Sequence, residues 1–143
     1  MGSAPRIGLD DSGIRHVAAE DTEGLYRGMG FCHGADRGLQ MSVLRLLGRG
    51  RASECLSSTD EMLAVDRFFR RMNWGTGPER EAPPDIRPLC EAYCEGVNEA
   101  LLRKPPWELK LLGYRPEPWT YHDILLLSRM LGYVALAQSQ ADM

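Results

Sequence analysis

The sequence has 143 residues, a length typical of one domain and sufficient to bury a hydrophobic core. Apolar residues make up 43% of it and charged residues 26%, as in ordinary globular proteins, and the formal net charge is -3. Because the arginines are dispersed among acidic residues, the balance argues against a protein that binds nucleic-acid phosphates. No stretch reaches the roughly 18 to 20 apolar residues that span a bilayer.

The N-terminal part of the sequence predicts a short β-hairpin followed by a long helix. Residues 6–19 show weak apolar alternation around an Asp-Ser-Gly turn, a pattern typical of two short strands. Apolar residues then recur with a helical period, and Asp21 and Thr22 offer an N-terminal cap for a helix over about 21–50. Closely spaced glycines mark the C-terminal end of that helix.

The rest of the sequence predicts three further helices. The last of them follows Thr120 and Asp123, which have capping-box spacing, and it is apolar nearly all round, so we expect it to be buried on most sides. The segment 107–118 before it is interpreted as a connector. The predicted fold class is mainly α with a short N-terminal β-hairpin, in a single domain over 1–143. The three helices cover about residues 62–73, 85–103 and 120–138.

The four cysteines have two possible interpretations. We expect small buried or half-buried thiols, because a helical chain of this length does not need disulfides for its stability. A zinc site is the alternative, although the sequence lacks the C-x₂-C spacing that structural zinc sites usually show. The residues of that alternative site are Cys32, His33, Cys90 and Cys94.

The sequence contains no complete catalytic motif. It lacks a G-x-S-x-G elbow, an H-E-x-x-H pair, a P-loop and a G-x-G-x-x-G fingerprint. The charged residues of the long helix, Asp36, Arg37 and Arg45 among them, are interpreted as ion pairs that link helices. From the residues alone, the sequence indicates a mostly helical domain whose long helix and last helix need close partners.

Part of the long helix resembles a known family. The segment GMGFCHGADRGLQMSVLRLLGRGRASECL, residues 28–56, is similar to the small subunit of the penicillin acylase (penicillin amidase) family of N-terminal nucleophile hydrolases. Residues 11–30 resemble the opening strand and turn of that subunit, and residues 106–131 resemble its Pro-Glu-Pro-Trp segment. The positions that match the family pattern in the first segment are Ala35, Asp36, Arg37, Gln40, Met41, Arg45, Gly50, Ala52 and Glu54.

The resemblance implies that this chain is the α subunit of a heterodimer cut from one precursor. In the family, the nucleophile is a serine, or sometimes another residue, at the new N-terminus of the large subunit, and its own α-amine is the base. The resemblance therefore implies no catalytic residue in this chain and an αββα fold completed by the partner chain. The implied partners are a β subunit from the same precursor and an amide-bearing small molecule, with no nucleic acid and no membrane.

The resemblance also implies which residues form the site. In the family, the last helix of the small subunit supplies one wall of the acyl pocket; for Met130 and Leu131, plain core packing is the alternative. No cofactor is predicted, because Gln140 occupies the position at which some members carry a calcium-binding Glu, and a neutral amide is a weaker calcium ligand. The substrate-binding candidates are Met130, Leu131, Tyr133 and Val134. The structural and assembly candidates are Asp36, Arg37, Gln40 and Arg45.

The same implication accounts for glycines inside the long helix. Gly34 and Gly38 each cost the helix roughly 1 kcal/mol relative to alanine, so contacts outside the helix must offset them. We expect those contacts to be made mostly with the large subunit. Asp36, Arg37 and Arg45 are expected to form buried or interface ion pairs that fix the same docking.

Three functions are compatible with these features. The first is an amidase that removes an acyl group from an amine, the second is an acyltransferase or amide synthase with the same fold, and the third is a stand-alone helical interaction module. The sequence opens MGSAPRIGLDD, without the apolar segment of a secretory signal, so we expect a cytoplasmic protein with a biosynthetic role, such as antibiotic biosynthesis. A periplasmic or secreted protein whose signal peptide has been removed is the alternative.

Overall fold

The computed structural model describes residues 4–75 and 83–141. Two antiparallel strands, β1 (Arg6–Leu9) and β2 (Arg15–Ala18), pair with Ile7 opposite Val17. The remaining elements of the described residues are helices, which confirms a mainly α chain with an N-terminal hairpin. The helices are α1 (Thr22–Gly48), α2 (Ala52–Cys55), α3 (Asp60–Met72), α4 (Arg87–Arg103), α5 (Trp107–Leu111) and α6 (Tyr121–Ala141).

Side-chain caps set where two of these helices begin. The carboxylate of Asp21 accepts a hydrogen bond from the backbone N–H of Gly24 at 2.6 Å, so it caps α1 as its position predicts. The Thr59 hydroxyl accepts from the first turn of α3, which therefore begins at Asp60, slightly earlier than the periodicity indicates. The apolar pattern predicts neither α2 nor α5, because a helix of one turn has too few positions to show a period.

The chain forms two compact units. Unit 1 comprises Met1–Met41 with Ala82–Tyr121, and unit 2 comprises Ser42–Glu81 with His122–Met143. Helix α1 contributes to both units, and its backbone departs from helical angles at Arg37 (φ -126°, ψ 16°). None of the helices in the described part of the chain is long and apolar enough to cross a membrane.

Unit 1 contains a close approach of α1 to α4. A methyl group at Gly30 would overlap the backbone carbonyl oxygen of Tyr93, and a methyl group at Gly96 would overlap that of Arg27. Each helix therefore carries a glycine where the backbone of the other lies against it. Such contacts bring the two backbones nearer than any side chain between them would allow.

The other α1 glycines of this unit lie against the same region. A Cβ atom at Gly34 would lie 3.0 Å from the Cβ of Ala100, and one at Gly38 would lie 2.5 Å from Cδ2 of Leu101. The expectation that these glycines face mostly the large subunit is therefore wrong, because α4 and residues next to it occupy that side. Small residues in a helix predict a close neighbour, but they do not specify which segment it is.

Unit 2 buries one part of α6 and exposes another. Leu126 and Met130 are 2% and 3% exposed, and Leu126 packs beside Gly48 at the end of α1. Leu131 and Val134 are instead 57% and 43% exposed. This chain by itself therefore buries only part of α6. The apolar composition of a helix predicts that other residues pack against it, but it does not specify whether those residues belong to the same chain.

Candidate functional site

The four substrate-binding candidates on α6 divide into one buried and three exposed side chains. Met130 lies in the core of unit 2, where ordinary packing explains its position. Leu131, Tyr133 and Val134 are all more than 40% exposed. Residues 131–137 are all exposed, so this part of α6 is uncovered by its own chain on more than one side.

Aromatic rings from α3 and from the residues that follow it extend this surface. The Tyr133 ring lies 5.6 Å from the Phe68 ring and 5.3 Å from the Trp74 ring, measured between centroids. Trp74 also contacts Phe69 edge-on at 5.8 Å. We call Phe68, Phe69, Trp74 and Tyr133 the aromatic cluster. Its mixed edge-on and tilted geometry is the arrangement that aromatic rings prefer.

The backbone after α3 sets the place of Trp74. Asn73 adopts left-handed angles (φ 48°, ψ 48°) at the C-cap, and its N–H donates to the carbonyl of Phe69. The Trp74 carbonyl then accepts a hydrogen bond of 2.6 Å from Nη1 of Arg129, a residue of α6. Sequence reasoning misses Trp74, because it lies outside any helical period. The sequence does contain one signal for the turn before Trp74, which is Asn73, since Asn directly after a helix often takes the left-handed conformation.

Arg45, one of the assembly candidates, belongs to a buried ion pair in unit 2. Its Nε donates to Oδ1 of Asp123 at 3.0 Å, and Nη2 of Arg49 donates to the same oxygen at 2.6 Å. The side chains of Arg45 and Asp123 are 3% and 1% exposed, so removal of Asp123 would take away the carboxylate that faces the buried Arg45. The pair joins α1 to α6 within this chain.

Asp36, another assembly candidate, forms an exposed ion pair in unit 1. Arg15 of β2 donates through Nε and Nη2 to the two carboxylate oxygens, both at 2.6 Å. This hydrogen bonding lowers the pKa of Asp36 and raises the pKa of Arg15. The Asp36 side chain is 48% exposed, so within this chain the pair is a surface ion pair.

A groove of about 830 Å³ runs over this part of unit 1. Asp36, Arg37 and Gln40 line it, so the structure brings three of the four assembly candidates together and places Arg45 elsewhere. The groove has a mixed surface, with cationic, anionic and apolar groups. Its other lining residues on α4, α5 and the turn between them include Arg103, Lys104, Pro106, Trp107 and Glu108.

The alternative zinc site is not supported by the geometry. The four cysteines are free thiols, and in residues 4–75 and 83–141 no three His, Cys, Asp or Glu side chains are grouped to hold a metal ion. His33 of the proposed set contacts the Tyr93 hydroxyl, with Nδ1 at 3.0 Å from Oη. Burial raises the pKa of Tyr93 to about 12, so this phenol is protonated at neutral pH. The side chain of Gln140, the position compared with a calcium ligand, lies outside the described residues.

Comparisons with known proteins agree with this architecture. The penicillin amidase family matches residues 5–143. An acyl-homoserine lactone acylase, QuiP, of Pseudomonas aeruginosa is 38% identical over 111 residues, which are 73% of this chain and 13% of that protein. The penicillin acylase 2 proenzyme of Pseudomonas sp. (strain SE83) is 34% identical over 135 residues, 90% of this chain and 17% of that protein.

A solved structure gives the same result. The thermostable penicillin G acylase of Alcaligenes faecalis superposes with a TM-score of 0.71 and 26% identity, covering 87% of this chain and 69% of that chain. This chain spans less than a fifth of the length of the two curated relatives above. Because the family matches nearly the whole sequence, the chain belongs to the penicillin amidase family.

Proposed function

We propose that this chain is the small-subunit region of an amidase that cleaves an amide-linked acyl group from an amine, cut from one precursor into two chains. Family membership is the observation that carries the proposal. Chain lengths support the two-chain arrangement, because the chain covers 17% of the Pseudomonas proenzyme but 69% of the solved Alcaligenes chain. The solved chain is therefore of comparable size to this one.

The chemistry of the proposed reaction takes place on the partner chain. A nucleophile at the N-terminus of the large chain attacks the amide carbonyl, and the amine leaves as an acyl–enzyme forms. Hydrogen-bond donors of the large chain stabilise the negative charge on the carbonyl oxygen. Water then hydrolyses the acyl–enzyme and releases the acid. In this scheme the residues described above hold the acyl group and assemble the two chains.

The exposed part of α6 is the proposed wall of the acyl pocket. Leu131, Tyr133 and Val134 present apolar surface there, and the neighbouring Met130 is buried in unit 2. The ion pair of Arg45 with Asp123 fixes α6 to α1. This ion pair joins the beginning of α6 to α1 within this chain.

The groove of unit 1 is the proposed docking surface for the large chain. Asp36, Arg37 and Gln40 lie in it with exposed side chains, so they are available to a partner. An exposed groove of mixed charge and apolar surface is typical of interfaces between chains that also contact water at their rim.

The names of the relatives suggest the substrate class. Those proteins are named for acyl-homoserine lactones and for penicillins, and both compounds are amines that carry an amide-linked acyl group. We therefore propose an N-acylated amine as the substrate of this protein.

Expression of the complete reading frame that encodes this chain tests the proposal. We expect mass spectrometry of the purified protein to show two chains, and liquid chromatography to show free acid and free amine from N-acyl-homoserine lactones or penicillin G. Persistent formation of new amides when an acceptor amine is added would favour the acyltransferase instead. A single unprocessed chain that hydrolyses none of these compounds would contradict the proposal.

A further inference from the structure

Ion pairs within this chain already use part of the charge that lines the groove of unit 1. Arg15 is paired with Asp36, and Nη1 of Arg103 donates to Oε1 of Glu99 at 3.0 Å, one turn away on α4. Each of these pairs balances one cation with one carboxylate. The charge that remains available in the groove therefore comes from other residues.

Two further cations line the groove and form no ion pair with the residues that the structure describes. They are Arg37 of α1 and Lys104, directly after α4, and both side chains are exposed. The charge of Arg37 helps to lower the pKa of Asp36, but the hydrogen bonds to that carboxylate come from Arg15. Glu108 is the one carboxylate of the lining outside the two pairs, so the remaining charge of the groove is positive.

The lining of the groove also includes apolar surface. Pro106 lies against α1, since a Cβ atom at Gly38 would be 3.0 Å from its Cγ. Trp107, the first residue of α5, lines the groove and is 65% exposed. Tryptophan is mostly buried in folded proteins, and it is enriched with arginine in interfaces between chains. The groove thus offers both cationic and apolar groups to a partner.

We propose that the groove binds an acidic segment of the large chain, whose carboxylates pair with Arg37 and Lys104 and whose apolar side chain packs on Trp107. This inference rests on the proposed function above and deepens it, because it names the chemistry of the segment that docks there. This chain covers 13% and 17% of the two curated relatives, so most of such a protein lies outside it and can supply the segment. Complementary charges of this kind orient the docking of two chains, and salt weakens them.

The direct test is cross-linking of the mature enzyme with a carbodiimide, which joins an amine to a carboxylate in contact with it. We expect an amide bond between Nζ of Lys104 and an Asp or Glu side chain of the large chain, located by mass spectrometry of the digested protein. Lys104→Arg keeps the charge and removes the amine, so this cross-link should disappear. Cross-links of Lys104 to its own chain alone, or none at all, would overturn the inference.

Charge reversal tests the same contacts through assembly. For Arg37→Glu combined with Lys104→Glu, expressed from the complete reading frame, we expect the yield of the two-chain enzyme to fall roughly fivefold or more, because like charges then face each other. In the unmodified enzyme, the urea concentration that separates the chains should fall as NaCl is raised from about 0.05 to about 0.5 M. The two-chain enzyme obtained from the variant should show a weaker dependence on salt.

Arg115→Glu combined with Lys110→Glu is the matched control. Both residues are exposed cations of unit 1 outside the groove lining, and Lys110 lies in the last turn of α5 as Lys104 lies at the end of α4. The control should be processed like the unmodified enzyme. Equal yield and equal salt dependence in the groove variant and the control would overturn the inference and leave the proposed function intact. If the unmodified reading frame gives a single chain without amidase activity, the proposed function fails and the inference fails with it.

Discussion

Asp66 shows how a single carboxylate organises a short segment of unit 2. It accepts hydrogen bonds from the backbone N–H of Ala52 and of Ser53, both at 2.9 Å, and from the Ser53 hydroxyl at 2.5 Å. Burial by itself would raise the pKa of Asp66, but these hydrogen bonds and the charge of Arg70 outweigh it and lower the pKa below 3.8. A residue fourteen positions away thus caps α2, which has no side-chain cap at its own N-cap residue, Arg51.

Asp66→Asn should reduce the free energy of unfolding by roughly 1 to 3 kcal/mol near neutral pH. The amide oxygen still accepts one hydrogen bond, but the amide nitrogen faces donors and leaves them unsatisfied. The folded pKa is lowered, so the contribution of the carboxylate is complete above the unfolded value of 3.8 and disappears as the pH falls through the folded value. Thermal unfolding of the mature enzyme should show a Tm difference between unmodified and variant protein that narrows only below about pH 4.

The matched control for this experiment is Asp11→Asn, which changes an exposed carboxylate in the hairpin turn. It should leave the Tm nearly unchanged over the same pH range. A Tm difference for Asp66→Asn that stays constant down to pH 3 would contradict the assigned role of the carboxylate.

Among the elements, the contact of α1 with α4 has the strictest steric requirement. Because Gly30 and Gly96 have no side chain, the backbones of the two helices lie directly against each other. Val97 and Leu101 of α4 are almost completely buried in the same unit. The helical cost of glycine is thereby offset by burial of the apolar residues around it. The α1 glycines are therefore explained by packing within this chain, without a contact to a partner.

Gly30→Ala should destabilise the protein by at least roughly 1 to 3 kcal/mol, because the added methyl overlaps a backbone carbonyl oxygen and forces the two helices apart. Gly8→Ala is the control, since a Cβ at Gly8 in β1 has nothing within 4 Å. Tm measurements on both variants distinguish them. Equal Tm values would show that α1 and α4 separate without cost and that the close approach is unimportant.

At the scale of the whole molecule, the most informative feature is the surface that this chain leaves exposed. The exposed part of α6 and the groove of unit 1 are both open in this chain, and the chain spans less than a fifth of the length of the two curated relatives. Exposed apolar surface of this kind marks a site of interaction in a stable protein. The proposed large chain would cover both surfaces.

Asp36→Ala and Arg37→Ala should lower the yield of processed enzyme severalfold from the complete reading frame, because both residues lie in the proposed docking groove. An exposed ion pair by itself contributes at most about 1 kcal/mol, so a large loss would point to assembly and not to intrinsic stability. Glu91→Ala, which removes the exposed ion pair with Arg87 on α4, is the control and should process normally. Normal processing and activity of both groove variants would contradict the docking role.

The sequence by itself determined the features that depend on neighbouring residues. Helical periodicity and the cap at Asp21 predicted the long helix, and the segment around Asp36 and Arg37 carried the family resemblance, which the comparisons confirm. These signals are local, since a period, a cap or a motif is written in a short run of residues.

Only the tertiary structure decided which segments meet. It placed α4 against Gly34, buried Met130 while exposing Tyr133, and brought Trp74 onto α6 through Arg129. These contacts join residues far apart in the chain, and composition sets only the need for a partner, not its identity. That is the physical reason why the apolar character of α6 was readable from the sequence while the aromatic cluster on its surface was not.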